Sequence, residues 1–417
     1  MTIAPARPVS AFGARRAPDD PPRQGHVSGE RVSRLILLWV GGAALRMTVL
    51  AVPPLLPRIH RDLGLDEKAV GALTSLPVLL LAVGAVFGSL LVSRIGARRA
   101  TIAGLVTIAV AGGLRGVGSV APVLFAMTFL MGIGISVSQP AFPSLVRLWF
   151  PRRTPFAAAV YSNGLLMGEV VAAACTVAIV LPLVGGSWQR ALGAWSVVVI
   201  AIAVAFTVAT KHIPIPAGTV PPRWWPDWRD RQTWKLGLIF GGASIAYFST
   251  NAFIPDFLRA THHTAYIGAA LTTVNVSQIP ASILVALVPG RLIGRRWPLV
   301  LVGCLTLLSG AGMALGGVWV VIWAAPLGFS SAAVLVLCLA LPPLLAAPHE
   351  VHRMSAAVFT IAYACSFTGS FVAGALWDAT GVPFSAFLPA IASGFAIAFL
   401  ASRLDSHAMR HAATPHG

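Results

Sequence analysis

Apolar runs long enough to cross a bilayer alternate with short polar breaks along almost the whole chain. They predict helices near residues 34–57, 69–92, 100–119, 122–146, 155–182, 190–210, 235–257, 266–289, 298–317, 319–343, 354–376 and 382–402. At 1.5 Å of rise per residue, about 20 apolar residues cover a hydrocarbon core of about 30 Å. Several runs contain Gly or Pro, which would break a helix in water but is common in membrane spans, where neighbouring helices satisfy the freed backbone groups. The pattern predicts an all-α membrane protein with twelve transmembrane helices.

Composition agrees: 57% of residues are hydrophobic and 10% are Asp, Glu, Lys or Arg, where soluble domains carry about 25% charged residues. The net charge of +17 would suggest nucleic acid in a soluble chain; here it is a topology signal instead. With the N-terminus inside, 23 of the 30 Lys and Arg residues fall on the cytoplasmic side. These are the arginines up to Arg34, the clusters Arg94/Arg98/Arg99, Arg147/Arg152/Arg153 and Arg291/Arg295/Arg296, the stretch Lys211 to Lys235, and Arg353, Arg403 and Arg410. The opposite loops hold only Arg58, Arg61, Lys68, Arg190 and Arg259. Both termini are therefore expected in the cytoplasm, with the chain multi-pass in the cell membrane.

Residues 1–33 have no apolar core of a signal peptide and read as a disordered cytoplasmic tail; residues 403–417 form a second tail. The cysteines Cys175, Cys304, Cys338 and Cys365 lie inside apolar runs without metal-like spacing, and His262, His263, His349 and His352 sit in loops without carboxylate or thiol clusters. No metal and no cofactor is expected. The absence of a G-x-x-x-x-G-K-[ST] loop speaks against direct ATP coupling.

The Pro- and Trp-rich stretch 211–234 is expected to be an extended cytoplasmic linker resting at the membrane interface, between a six-helix unit over 34–210 and another over 235–402. Two landmarks repeat across it at one offset. Ile95-Gly96 with Arg98 falls 198 residues before Ile293-Gly294 with Arg296, and Pro57 falls 198 before Pro255. Two coincidences at equivalent places suggest two pseudo-repeats, the architecture of a rocker-switch transporter.

Two charges lie inside spans. Arg46 is about 12 residues into the first span, roughly 18 Å deep, where a charge costs about 2.5–3.5 kcal/mol on insertion scales. Glu169 is about 14 residues into the fifth span, at a matching depth of roughly 20 Å. Such residues face a cavity, a partner or a ligand. A substrate or proton role and a purely structural salt bridge both remain open for this pair. At the 198-residue offset the counterparts are Ser244 and Phe367, so the second half has no buried charge of its own. It offers Tyr247, Ser249 and Asn251 in span seven, Asn275 and Gln278 in span eight, and Tyr363 and Ser366 in span eleven. Charged groups are expected on one wall and hydrogen-bonding or stacking groups on the other, although interhelical hydrogen bonding accounts for such residues equally well. Tyr161, Gly164, Gly168 and Glu169 share a face of span five, where the glycines could serve close packing. Gln139, beside Pro140 in span four, is a further candidate for the pathway, and Arg115 near the end of span three is either an anchor or an anion-attracting vestibule residue.

The loop Ser89-Leu90-Leu91-Val92-Ser93-Arg94-Ile95-Gly96-Ala97-Arg98-Arg99 resembles the G-x-L-A-D-R-x-G-R-R motif of the major facilitator superfamily, with Ser89 for the first Gly and Ser93 for the Asp. A closer resemblance is to the cyanate and 2-nitroimidazole transporter family within it. That rests on Leu45-Arg46 followed by Pro53 and Leu55-Leu56-Pro57-Arg58-Ile59, Gly113-Leu114-Arg115, Phe150-Pro151-Arg152-Arg153, Tyr161-Ser162, Ser187-Trp188-Gln189-Arg190-Ala191-Leu192 and the Tyr247 to Pro255 stretch. The resemblance implies that spans one and five border a central cavity, and that Arg94, Gly96 and Arg98 act in gating at the cytoplasmic side.

Taken together these features predict a secondary active transporter, not an enzyme, moving a small anionic or polar solute by alternating access with proton coupling. Arg46, Gln139, Tyr161, Tyr247, Asn251, Asn275, Gln278 and Tyr363 are the expected substrate-binding residues and Glu169 the proton-coupling residue. The expected partners are the solute, protons and the lipid bilayer, with a monomer as the acting unit. A drug-efflux pump of the same fold and a non-transporting membrane sensor are the alternatives.

Overall fold

The computed structural model describes residues 24–65, 67–211 and 223–404, and every regular element among them is helical. Among the described residues, twelve helices are long and apolar enough to span a membrane. The first six are α1 (Arg31–Leu63), α2 (Leu76–Ile95), α3 (Ala97–Leu114), α4 (Ala121–Trp149), α5 (Thr154–Leu183) and α6 (Trp188–Thr210). The second six are α7 (Arg231–Ala260), α8 (Thr264–Leu287), α9 (Arg296–Leu315), α10 (Val318–Leu345), α11 (Val351–Thr380) and α12 (Pro383–Ser402).

Local chemistry marks the breaks. Gly96 at φ +82° and Gly294 at φ +79° turn the chain between α2 and α3 and between α8 and α9, so the repeated Ile-Gly landmark marks one backbone conformation, readily reached only without a Cβ. The other landmark diverges, because α1 tightens into a 3₁₀ turn at Pro53–Leu55 just before Pro57 whereas α7 runs through Pro255. The Asp230 carboxylate caps α7 by accepting from the backbone N–H groups of Gln232 and Thr233 at 2.9 and 3.1 Å.

Two expected boundaries move. The first helix begins at Gln24, so residues 24–33 extend α1 instead of belonging to the tail; once a span is helical, each added residue gains a hydrogen bond without a new nucleation cost. Residues 231–234 likewise belong to α7, behind its Asp230 cap. The remainder of both tails and linker residues 212–222 lie outside the described residues.

One packing plan appears twice. In the first half α1 packs on α5 and α6, and α4 on α2 and α3; in the second α7 packs on α11 and α12, and α10 on α8 and α9. The halves meet where α2 packs on α11 and α5 on α8, the two equivalent pairs under exchange of the halves. The first and last described residues and the described part of the linker, residues 223–230, share one face, where Lys235 donates to the backbone carbonyl of Arg403 at 2.6 Å. It is called the linker face below, and the opposite one the far face.

Within the first half, α5 approaches α1 more closely than side chains would permit. A Cβ at Gly164 or Gly168 would collide with the backbone carbonyl of Trp39 or Ala43. These glycines, four apart on one face, form the small-residue seam that lets helix backbones touch in a membrane. Their consequence is positional: Glu169, next to Gly168, is carried up to Arg46 on α1.

Candidate functional site

At midspan Arg46 is buried, 7% exposed. Its Nε stands 3.4 Å from Glu169 Oε1, so α1 and α5 bring the two intramembrane charges into one ion pair. Its Nη2 donates to the Tyr363 hydroxyl of α11 at 2.7 Å, and Gln139 Nε2 of α4 donates to that same oxygen at 3.3 Å. One hydroxyl from the second half thus accepts from two groups of the first, across the seam. The pair is loose and off-axis, since the Arg46 Nε has no hydrogen bond among the described residues.

A neutral network faces this pair. The Tyr247 hydroxyl donates to Asn275 Oδ1 at 2.7 Å, Asn275 Nδ2 donates to Asn251 Oδ1 at 3.0 Å, and Gln278 Nε2 reaches Asn275 Oδ1 at 3.4 Å. Of these four, Tyr247 and Gln278 line cavities with Arg46 and Glu169, whereas Asn251 and Asn275 stand behind Tyr247 and orient its hydroxyl. Tyr161 lines neither cavity. Its ring stacks on Phe142 with centroids 4.9 Å apart, and its buried hydroxyl has no partner among the described residues. Facing the same way as Glu169 on a helical wheel did not bring it to the cavity, because Phe142 of α4 covers it.

A cavity of about 160 Å³ is lined by Arg46, Val49, Leu50 and Pro53 of α1, Leu81 of α2, Arg115, Thr128 and Ile135 of α4, Glu169, Tyr247 and Phe248. These residues run from midspan toward the far face. A smaller cavity of about 40 Å³ adds Ser244, Gln278, Ser331 and Tyr363. The larger of these two is small beside the roughly 300–1,000 Å³ of pockets for drug-sized ligands.

Toward the linker face the seam is shut. Trp39 Nε1 donates to Asn163 Oδ1 at 2.8 Å, and Asn163 Nδ2 donates across the seam to the Ser282 hydroxyl at 2.8 Å. Beyond them the linker lies over the helix ends. Ser89 of α2 donates to the carbonyl of Trp224 at 2.7 Å, Arg353 of α11 to that of Trp225 at 2.8 Å, and a His352 ring nitrogen lies 3.3 Å from the Arg223 carbonyl. Of the expected gating residues, Arg94 is exposed, Gly96 makes the turn, and Arg98 donates to the Thr210 hydroxyl at 2.9 Å. Arg98 therefore braces α3 to α6 within its own half; toward this face Asn163 ties α5 to α8 across the seam, while Ser89 and Arg353 tie α2 and α11 to the linker. Sequence reasoning did not single these out for that role, because polar residues in apolar spans have many possible partners. Among the described residues no three His, Cys, Asp or Glu side chains cluster as a metal site would require.

A family model described as Major Facilitator Superfamily matches residues 38–274. The chain belongs to that superfamily. It is a multi-pass membrane transporter and not an enzyme. It is 28% identical over 332 residues to the cyanate transport protein CynX of Escherichia coli strain K12, covering 76% of this chain and 82% of that protein. It is 23% identical over 359 residues to the 2-nitroimidazole transporter of the same strain, covering 81% and 86%, and 24% identical over 285 residues to the uncharacterized transporter YycB of Bacillus subtilis strain 168, covering 67% and 70%. Among solved structures, the superfamily transporter FucP in its outward conformation aligns with a TM-score of 0.73 at 13% identity, over 90% of this chain and 99% of that one. The human organic anion transporter MFSD10 aligns with a TM-score of 0.68 at 13% identity, over 92% and 100%. At such identity the likeness is one of fold.

Proposed function

We propose that this superfamily member is a secondary active transporter of a small anionic solute, coupled to protons, with the linker face in the cytoplasm. The observation that carries the reading is Arg46, a buried guanidinium held loosely between an acid of its own half and a hydroxyl of the other. A planar, permanently charged fork suits a carboxylate, nitro or similarly delocalised group. The cavity's small volume favours a compact solute over the broad lipophilic range of a drug pump. The names of two relatives, a cyanate and a 2-nitroimidazole transporter, fit the same size class.

In this reading the solute enters from the far face and takes Glu169's place on Arg46. The displaced carboxylate loses its counter-charge in a site walled off from bulk water, which favours its protonation. Solute and proton then cross together, and the linkage between them is reciprocal. The Tyr363 hydroxyl is exchanged as the halves rock, opening the linker face while the far face closes. Lys and Arg concentrated on the linker face support its cytoplasmic placement.

The test is uptake into proteoliposomes under an imposed pH gradient, with cyanate, nitrate and formate as probes and a lipophilic dye as control. Accumulation of an anion that collapses with the gradient is expected. Accumulation of the dye alone, or no flux of any probe in either direction, would overturn the reading.

A further inference from the structure

The cavity holds a second arginine that the proposed cycle does not use. Arg115, at the end of α3, is 1% exposed and lines the cavity with Arg46 and Glu169. Its Nη2 donates to the Thr48 carbonyl at 2.7 Å and its Nε to the Gly112 carbonyl at 3.3 Å, while the buried Nη1 has no partner among the described residues. The carbonyls hold the guanidinium in place without neutralising it. No carboxylate stands within ion-pair distance of it among the described residues; the one acid lining this cavity, Glu169, is paired with Arg46. Two cations and one anion therefore share an enclosed space, leaving a net charge of +1. A buried charge without a partner is strongly destabilising unless something compensates it. The buried Thr128 hydroxyl, also lining the cavity, is a further polar group without a protein partner. Thr48 lies two residues beyond Arg46 on α1, about 3 Å further along the axis toward the far face.

We propose that Arg115 and Thr128 form a separate outer subsite for a small monovalent anion, one step before Arg46 on the path from the far face. The inference rests on the anion-transport reading and deepens it: the substrate class is a single negative charge, since one anion brings the cavity to neutrality. The anion first meets Arg115, whose carbonyl ligands keep the guanidinium from following it inward, and then passes to Arg46. Arg115 thus acts as a selectivity station and Arg46 as the transport site.

The experiment is thermal unfolding of the purified full chain, followed by tryptophan fluorescence, as nitrate replaces gluconate at millimolar concentration and constant ionic strength. Gluconate is too bulky for the cavity and serves as the inert anion. In the wild type the midpoint is expected to rise with nitrate, and the rise should persist in the Arg46→Gln, Glu169→Gln double variant, which removes the ion pair and leaves Arg115 as the charge lining the cavity. Arg115→Gln should unfold no earlier than wild type in gluconate, having lost an uncompensated charge, and should show at least a tenfold weaker response to nitrate. Arg115→Lys, which keeps the charge but not the fork, should fall between and serves if the Gln variant does not fold. No nitrate response in the wild type overturns the subsite. So does a response lost in the double variant and kept in Arg115→Gln, or one unchanged in Arg115→Gln while stability falls equally in both media, which would make Arg115 an anchor only. Transport by Arg46→Ala tests the proposed function separately, so either idea can fail without the other.

Discussion

Positions 46 and 244 fall at the same place in the two halves, yet one is arginine and the other serine. Both line the small midspan cavity, so the duplicated packing has kept the location while the chemistry diverged. Glu169 has Phe367 as its counterpart, 48% exposed on the outer surface of α11. The first half thus holds both members of the ion pair, and the second reaches them through the neutral hydroxyl of Tyr363. Under the alternating access proposed above, in which the halves part, the division has an energetic consequence. Separating a buried ion pair costs about 3–5 kcal/mol, whereas a hydrogen bond from a charged group is worth about 1.5–3 kcal/mol. Keeping the charges within one bundle leaves the cheaper bond to be broken at the seam.

The contrast is tested hardest at Arg46. Arg46→Ala leaves Glu169 buried without its partner and removes the anion's fork, so substrate binding by isothermal calorimetry should weaken more than 100-fold, by about 3–5 kcal/mol. Arg46→Lys should recover part of it. Wild-type affinity in the alanine variant would make the arginine structural and misplace the site. Next comes Glu169→Gln, which preserves shape and hydrogen bonding but cannot titrate. Accumulation driven by a pH gradient should disappear while counterflow exchange survives; a variant that still concentrates solute would exclude Glu169 from coupling.

Across the seam the expected effects shrink. Tyr363→Phe removes one hydrogen bond to a charged group and leaves the Arg46–Glu169 pair intact, so affinity should fall about 10- to 100-fold with coupling preserved. A loss as deep as that of Arg46→Ala would mean the second half is an equal partner. Asn275→Ala removes the acceptor that orients Tyr247 and Gln278 without touching the ion pair, with an expected loss of about 0.5–1.5 kcal/mol, a few-fold in affinity. At the linker, Arg229→Cys should leave transport unchanged and react with an impermeant thiol reagent only in inside-out vesicles. Rapid labelling on intact cells would reverse the orientation.

Much of this was legible without coordinates. Twelve spans follow from hydropathy because a lipid-exposed helix must be apolar along its whole length, which leaves a one-dimensional record. The Ile-Gly repeat was readable because a positive-φ turn demands glycine at one defined position. Arg46 and Glu169 stood out individually because charge in a membrane is costly, and their matched depth made a contact feasible. Their contact at 3.4 Å depends on Gly164 and Gly168 seating α5 against α1, and at the sequence level those glycines could serve packing or the pathway.

Tertiary structure alone decided which polar residues face the cavities. Tyr161 and Glu169 lie on one side of α5, yet Phe142 covers the first while the cavity reaches the second. Asn251 and Asn275 fell to a supporting role, and Ser89 and Asn163 rose to ties that shut the linker face. Arg115, balanced in the sequence between anchor and vestibule, became a buried cation with one side held by carbonyls and the other bare. The physical reason is range. Hydropathy and turn propensity act within a helix or a few residues, whereas cavity lining, hydrogen-bond partners and charge balance are set between helices far apart in the chain, as Arg46 and Tyr363 are.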